Sequence, residues 1–140
     1  PRQSPVSDYA AVIPIFIRKA LNHKRPVIYG DGSQTRDFIY VEDVARANLM
    51  AAQSSRAAGE IINICTGEEY TILELWGFIH ELEDGAQEPI FEAKRPGDIK
   101  RSVGDPEKSR NVMGFESQVS LEDGLRKTLK WMSDNMDEWI

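Results

Sequence analysis

Arg36, Arg95 and Asp98 are the residues of this 140-residue chain whose types and settings best suit work on a charged small molecule. Arg36 follows the turn Gly30-Asp31-Gly32-Ser33 and stands between two expected strands. A guanidinium is a fixed cation with a planar fork of donors that matches phosphate, and small turn residues let an anion come close to the backbone. On the residues alone, an exposed arginine at the start of a strand is an equal reading. Arg95-Pro96-Gly97-Asp98 brings a second guanidinium and an acceptor-only carboxylate. Pro-Gly would also account for that stretch as a plain turn.

The elements around these residues follow from local pattern. Val27, Ile28 and Tyr29 read as a short strand, and Asp37 to Val41 as a second, since Phe, Ile, Tyr and Val fit a pleated surface. Glu42-Asp43 opens a helix with carboxylates where the helix dipole favours them. Val41, Val44, Ala45, Leu49 and Ala52 share one side of that helix, whose alanines predict close approach to a neighbour, and Gly59 is the expected stop. Upstream, Ile13, Phe16, Ile17, Ala20 and Leu21 repeat as one helix face, with Pro14 in its first turn. Ile61, Ile62 and Ile64 read as a β-rich run, and Pro89 to Ala93 as a strand. Thr71 with Glu74 has the form of a capping box ahead of the stripe Ile72, Leu75, Trp76, Ile79. Asp105-Pro106 and Gly114 bracket a short helix, and Ser120 with Asp123 opens the last one, with Leu121, Leu125, Thr128, Leu129 and Met132 facing inward. The pattern predicts a small mixed α/β domain over residues 1–140 with about five helices and several short strands.

The run from Tyr29 to Val44, together with Pro1-Arg2-Gln3, Ala11-Val12-Ile13-Pro14, Arg95-Pro96-Gly97-Asp98 and Leu121-Glu122-Asp123-Gly124-Leu125, resembles the sugar-nucleotide epimerase and dehydratase family. These are the extended short-chain dehydrogenases, and the likeness is nearest to the UDP-glucose 4-epimerases. It covers nearly the whole chain but only the family's C-terminal half. The resemblance implies that Arg36 and Arg95 hold the diphosphate of a nucleotide-sugar and that Asp98 accepts from the ribose hydroxyls. It places Tyr29 against the base, gives the backbone around Val12 the base edge, and makes Ile72 a wall of the pocket. Core packing is the competing fate of Tyr29, Val12 and Ile72.

The same resemblance assigns NAD to the complete enzyme, held on a glycine-rich turn and worked by a Tyr-x-x-x-Lys pair. Neither feature is in this sequence. Tyr9, Tyr29, Tyr40 and Tyr70 have no lysine four residues on. Gly30-x-Gly32-x-x-Thr35 lacks the third glycine of a dinucleotide fingerprint and precedes an expected strand where a helix is required. No catalytic residue and no cofactor site is therefore expected in this chain. Pro1-Arg2-Gln3 is internal in the family, preceded there by Tyr-Gly, so the chain reads as the C-terminal part of a longer protein whose NAD-binding half lies elsewhere.

Composition narrows the alternatives. A net charge of −6 argues against a general nucleic-acid binder, which would show a basic face. The single cysteine, Cys65, excludes an internal disulfide framework. No apolar run is long enough to span a bilayer and no leader pattern opens the chain, so a soluble cytoplasmic protein is expected. His23, His80 and Cys65 have no metal-ligand spacing, Glu68-Glu69 and Glu83-Asp84 read as surface charge, and Trp131 and Trp139 as packing or partner contacts. The leading expectation is the UDP-hexose-binding portion of an NAD-dependent 4-epimerase. The others are a dehydratase or decarboxylase of the same family, a stand-alone non-catalytic binding module, and a portion that self-associates through apolar faces meant for the other half.

Overall fold

The protein is described from a computed structural model covering residues 1–4 and 11–136. Five α-helices carry the fold: α1 (Val12–Leu21), α2 (Val41–Gln53), α3 (Ile72–Leu82), α4 (Glu107–Met113) and α5 (Leu121–Asp134). Five short strands join them: β1 (Val27–Tyr29), β2 (Thr35–Arg36), β3 (Tyr70–Thr71), β4 (Ile90–Glu92) and β5 (Arg101–Ser102). β1 and β4 form a parallel pair with Val27 opposite Ile90. In the second sheet β2 is central, antiparallel to β3 and parallel to β5.

The core lies between α1, α3 and α5. Phe16, Ile17 and Ala20 come from α1, Ile72, Leu75, Trp76 and Ile79 from α3, and Leu125 and Met132 from α5, with Ile28 of β1 closing the floor. Phe16 meets Trp76 edge to face at 5.5 Å, a favoured aromatic geometry. The predicted helix faces of α1, α3 and α5 are the buried ones. Trp131 packs at the margin of this core, while Trp139 and Tyr9 lie outside the described residues.

The capping box forms as predicted: Thr71 Oγ1 accepts from the Glu74 amide at 3.0 Å, and Glu74 Oε2 accepts from the Thr71 amide at 2.8 Å. Thr71→Ala should cost about 1 kcal/mol, the usual weight of an N-cap. In urea this would appear as a lower midpoint with an unchanged slope.

Five expectations are corrected. The strand predicted over Asp37 to Val41 lies earlier, at Thr35–Arg36, and Val41 already begins α2. The reason is Asp37. Its carboxylate accepts from the Thr66 amide and hydroxyl and from the amides of Gly67 and Gly104, turning the chain off the sheet. The run Ile61 to Ile64 forms no strand, since no strand among the described residues pairs with it, and Ile61 is 87% exposed. α2 ends at Gln53 rather than at Gly59, because Ser54 turns extended and its hydroxyl donates to the Val112 carbonyl. The side of α2 expected against a neighbour faces outward, with Val41 54% and Leu49 67% exposed, and its buried residues are Asp43 and Ala47. At α4 the difference is one residue: Pro106 is the N-cap, and Asp105 still accepts from the Glu107 amide at 2.9 Å. Gly114 closes α4 in the left-handed conformation, φ +67°.

Candidate functional site

A cleft of about 670 Å³ opens between the start of α1, the end of β1, β2, the start of α3 and the loop after β4. Val12, Tyr29, Arg36, Ile72, Arg95 and Asp98 all line it, although they span most of the sequence. Sheet pairing brings them together. β1 and β4 run parallel, so Tyr29 at the end of one lies near the residues that follow Glu92 at the end of the other. The β2–β3 pairing sets Thr35 opposite Thr71 and so places Ile72 at the cleft as the first residue of α3. Backbone bonds fix it there: the Ile72 amide donates to the Gln34 carbonyl at 3.0 Å and the Leu73 amide to the Gly32 carbonyl at 3.1 Å.

Arg36 is the most firmly placed of the six. Its Nη1 donates to the carbonyls of Thr35 and Ile99, each at 2.7 Å, and its Nη2 to Asp98 Oδ1 at 2.9 Å. These bonds engage three of the five guanidinium N–H groups and orient the rest. The pair is half-buried, with side-chain exposures of 27% for Arg36 and 21% for Asp98. Arg36 thus positions Asp98, and the carboxylate keeps lone pairs for further donors. Arg95 lies across the Tyr29 ring with its guanidinium carbon 3.7 Å from the centroid. Ala11, the N-cap of α1, and Val12, its first residue, line this end of the cleft.

Lys19 and Gln34 line the same cleft and were not singled out from the sequence. Both carried a signal. Lys19 lies two helical turns after Val12 and so on its face, and Gln34 shares the strand face of Arg36. Gln34 Nε2 donates to the Tyr29 carbonyl at 3.0 Å, tying the turn to the strand that bears the ring. The turn Gly30-Asp31-Gly32 leads into β2, so no helix N-terminus is presented there to a pyrophosphate.

The remaining candidates sit apart from the cleft. Among the described residues no group of three or more His, Cys, Asp or Glu could hold a metal ion. Cys65 is buried, and burial, with the charges of Asp37 and Asp105 adding to it, pushes its thiol pKa up. Glu69 does more than decorate the surface: it pairs with Arg101 and accepts from the Thr35 hydroxyl at 2.9 Å, bracing the three-stranded sheet. No described helix is long and apolar enough to cross a membrane.

Comparison with known proteins agrees with this architecture. Residues 1–65 match the NAD dependent epimerase/dehydratase family. The UDP-glucose 4-epimerase of Mycolicibacterium smegmatis is 37% identical over 94% of this chain, and the chain covers 41% of that protein. The crystal structure of the UDP-glucose 4-epimerase of Thermotoga maritima with UDP-glucose superposes with a TM-score of 0.92 at 36% identity, over 97% of this chain and 43% of that one. By the family-model match over its first part and by relatives along nearly its whole length, this chain is similar to the NAD-dependent epimerase/dehydratase family. Within the family the relatives differ in reaction, for the UDP-N-acetyl-alpha-D-glucosaminuronate decarboxylase of Bacillus cytotoxicus is 38% identical over 90% of the chain, which covers 41% of that protein. The chain thus spans about two fifths of the curated family members it matches.

Proposed function

We propose that residues 1–140 are the nucleotide-sugar-binding C-terminal portion of an NAD-dependent nucleotide-sugar epimerase, of the UDP-glucose/UDP-galactose 4-epimerase kind. One observation carries the reading: Arg36, Arg95, Asp98, Tyr29, Val12 and Ile72 line a single cleft. Its two guanidiniums offset the charge of a diphosphate, Asp98 accepts from ribose hydroxyls, Tyr29 and Ile72 form an apolar wall for the base, and the backbone around Val12 meets the base edge. NAD and the Tyr/Lys pair belong, in this reading, to the other portion of the protein. The absence of a lysine four residues after Tyr29, Tyr40 or Tyr70 supports that division, as does the strand that follows Gly32.

The outward side of α2 and the loop after it are the surface for that other portion. Val41, Leu49 and Ile61 expose apolar area there that a partner would remove from water. A decarboxylase among the relatives favours a second reading of the reaction, in which the same nucleotide clamp serves a decarboxylase or dehydratase. The clamp described here is compatible with either.

Titrating UDP, dTDP and NAD separately into the chain by calorimetry tests the assignment. UDP should bind and NAD should not. A folded chain that binds no nucleotide would defeat the reading.

A further inference from the structure

Arg95 stands where two tasks exclude each other. Its guanidinium carbon lies 3.7 Å from the Tyr29 ring centroid, the thickness of one stacked layer, so it covers one face of the ring. Tyr29 lines both the main cleft and a neighbouring hollow of about 330 Å³ formed with Gly30, Asp31, Ser33, Gln34, Lys94 and Lys100. Arg95 lines only the main cleft. The covered face is therefore the one turned toward the nucleotide site. A base stacking on Tyr29 from the cleft needs the layer that the guanidinium fills. The same guanidinium is the second cation for the diphosphate.

We infer that Arg95 couples the two ends of the nucleotide: it caps Tyr29 until a diphosphate draws it away, and its departure opens the ring to the base. The inference rests on the nucleotide reading given above and adds an order to it. The local chain allows the swing. Arg95 is exposed and begins the turn Pro96-Gly97-Asp98, in which Gly97 takes φ +78° with open space on the side where a Cβ would stand. Stacking on Tyr29 is the side-chain contact recorded for Arg95 among the described residues, so leaving it forfeits one exposed cation–π contact, worth about two- to fivefold in an equilibrium. By linkage, diphosphate and base should each tighten the other by that factor.

The test uses the half-ligands. Uridine is titrated into the chain by NMR with and without saturating pyrophosphate, for wild type and Arg95→Ala, and UDP is titrated in parallel. Pyrophosphate should tighten uridine about two- to fivefold in wild type. Arg95→Ala should tighten uridine by a similar factor without pyrophosphate, weaken pyrophosphate, and abolish the coupling. Weaker uridine binding in Arg95→Ala would mean that the base stacks on the guanidinium, and would overturn the inference. So would equal uridine affinities with and without pyrophosphate, or no uridine binding in its presence. If UDP binds while coupling is absent, the nucleotide reading stands and only the role of Arg95 falls. If UDP, uridine and pyrophosphate all fail to bind, both fall.

Discussion

The double variant Arg36→Ala, Arg95→Ala should lose UDP affinity by roughly 100-fold or more while remaining folded. A charge-assisted hydrogen bond is worth about 1.5–3 kcal/mol, and this variant removes the donors at both guanidiniums of the cleft. The loss at Arg36 goes beyond its own contacts. Asp98 Oδ1 accepts from Arg36 at 2.9 Å, so deleting the guanidinium leaves a carboxylate unneutralised beside the expected position of the diphosphate. Repulsion then adds to the lost attraction. Arg36→Lys should recover only part of the affinity, because a compact ammonium cannot bridge the carbonyls of Thr35 and Ile99 and reach Asp98 together. Calorimetry at two salt concentrations checks the cause: wild-type affinity should fall with added salt more steeply than that of the variant. Wild-type affinity in the folded double variant would remove both arginines from the site.

Asp43→Ala should produce the larger loss of stability, about 3 kcal/mol. The Asp43 side chain is only 3% exposed; Oδ1 accepts from Arg46 at 2.7 Å, and Oδ2 from the amides of Gln118 and Val119 at 2.9 and 3.0 Å. Arg46 in turn donates to the Glu116 carbonyl and lies 4.8 Å from the Phe115 ring centroid. One carboxylate therefore fixes the loop that leads into α5. Removing it strands two amides and a half-buried guanidinium, and the partial exposure of Arg46 keeps the cost at the low end for a broken buried pair.

The same group gives a pH dependence. Burial by itself would raise the pKa of Asp43, but the bonds from Arg46, Val119 and Gln118 outweigh it and hold the pKa below its ordinary value of 3.8. A carboxylate with a depressed folded pKa contributes stability that is complete above its unfolded pKa and is lost as pH falls through the folded value. Urea midpoints measured from pH 7 down to about 3 should show an acid loss in wild type that is smaller in Asp43→Asn. Matching pH profiles would assign the acid limb to other carboxylates.

What could be read from the sequence was what neighbours in the chain decide. The Thr71–Glu74 capping box and the apolar stripes of α1, α3 and α5 depend on spacing within one helix, and each is where the pattern put it. The elements misread are those settled at a distance. Nothing local to Asp37 reveals that amides of Gly67 and Gly104 will converge on its carboxylate and end the strand early. Nothing in the α2 repeat says which of its two sides turns inward, because a partly polar side with buried Asp43 and Ala47 looks weaker than the apolar side left outside. The cleft was legible for a different reason. Arg36, Arg95 and Asp98 were picked out by a family likeness and by their chemistry, and the parallel pairings supplied the proximity that no spacing could have shown. Lys19 and Gln34 escaped notice because their types are ordinary on a surface, and only their faces gave them away.

The two parallel pairings also set the order in which the cleft can come into being. The bonds from Arg36 to Asp98 and Ile99 join residues 62 and 63 positions apart, and α2 and α3 both lie between them in the chain. Closing so long a loop is paid in entropy before any contact rewards it, so non-local pairing of this kind slows folding and comes late. Both helices can be formed while Arg36 still has no carboxylate beside it and Tyr29 no guanidinium above it. The cleft is therefore complete only once β4 and β5 have paired with β1 and β2, which a stretch of chain ending before Ile90 cannot supply.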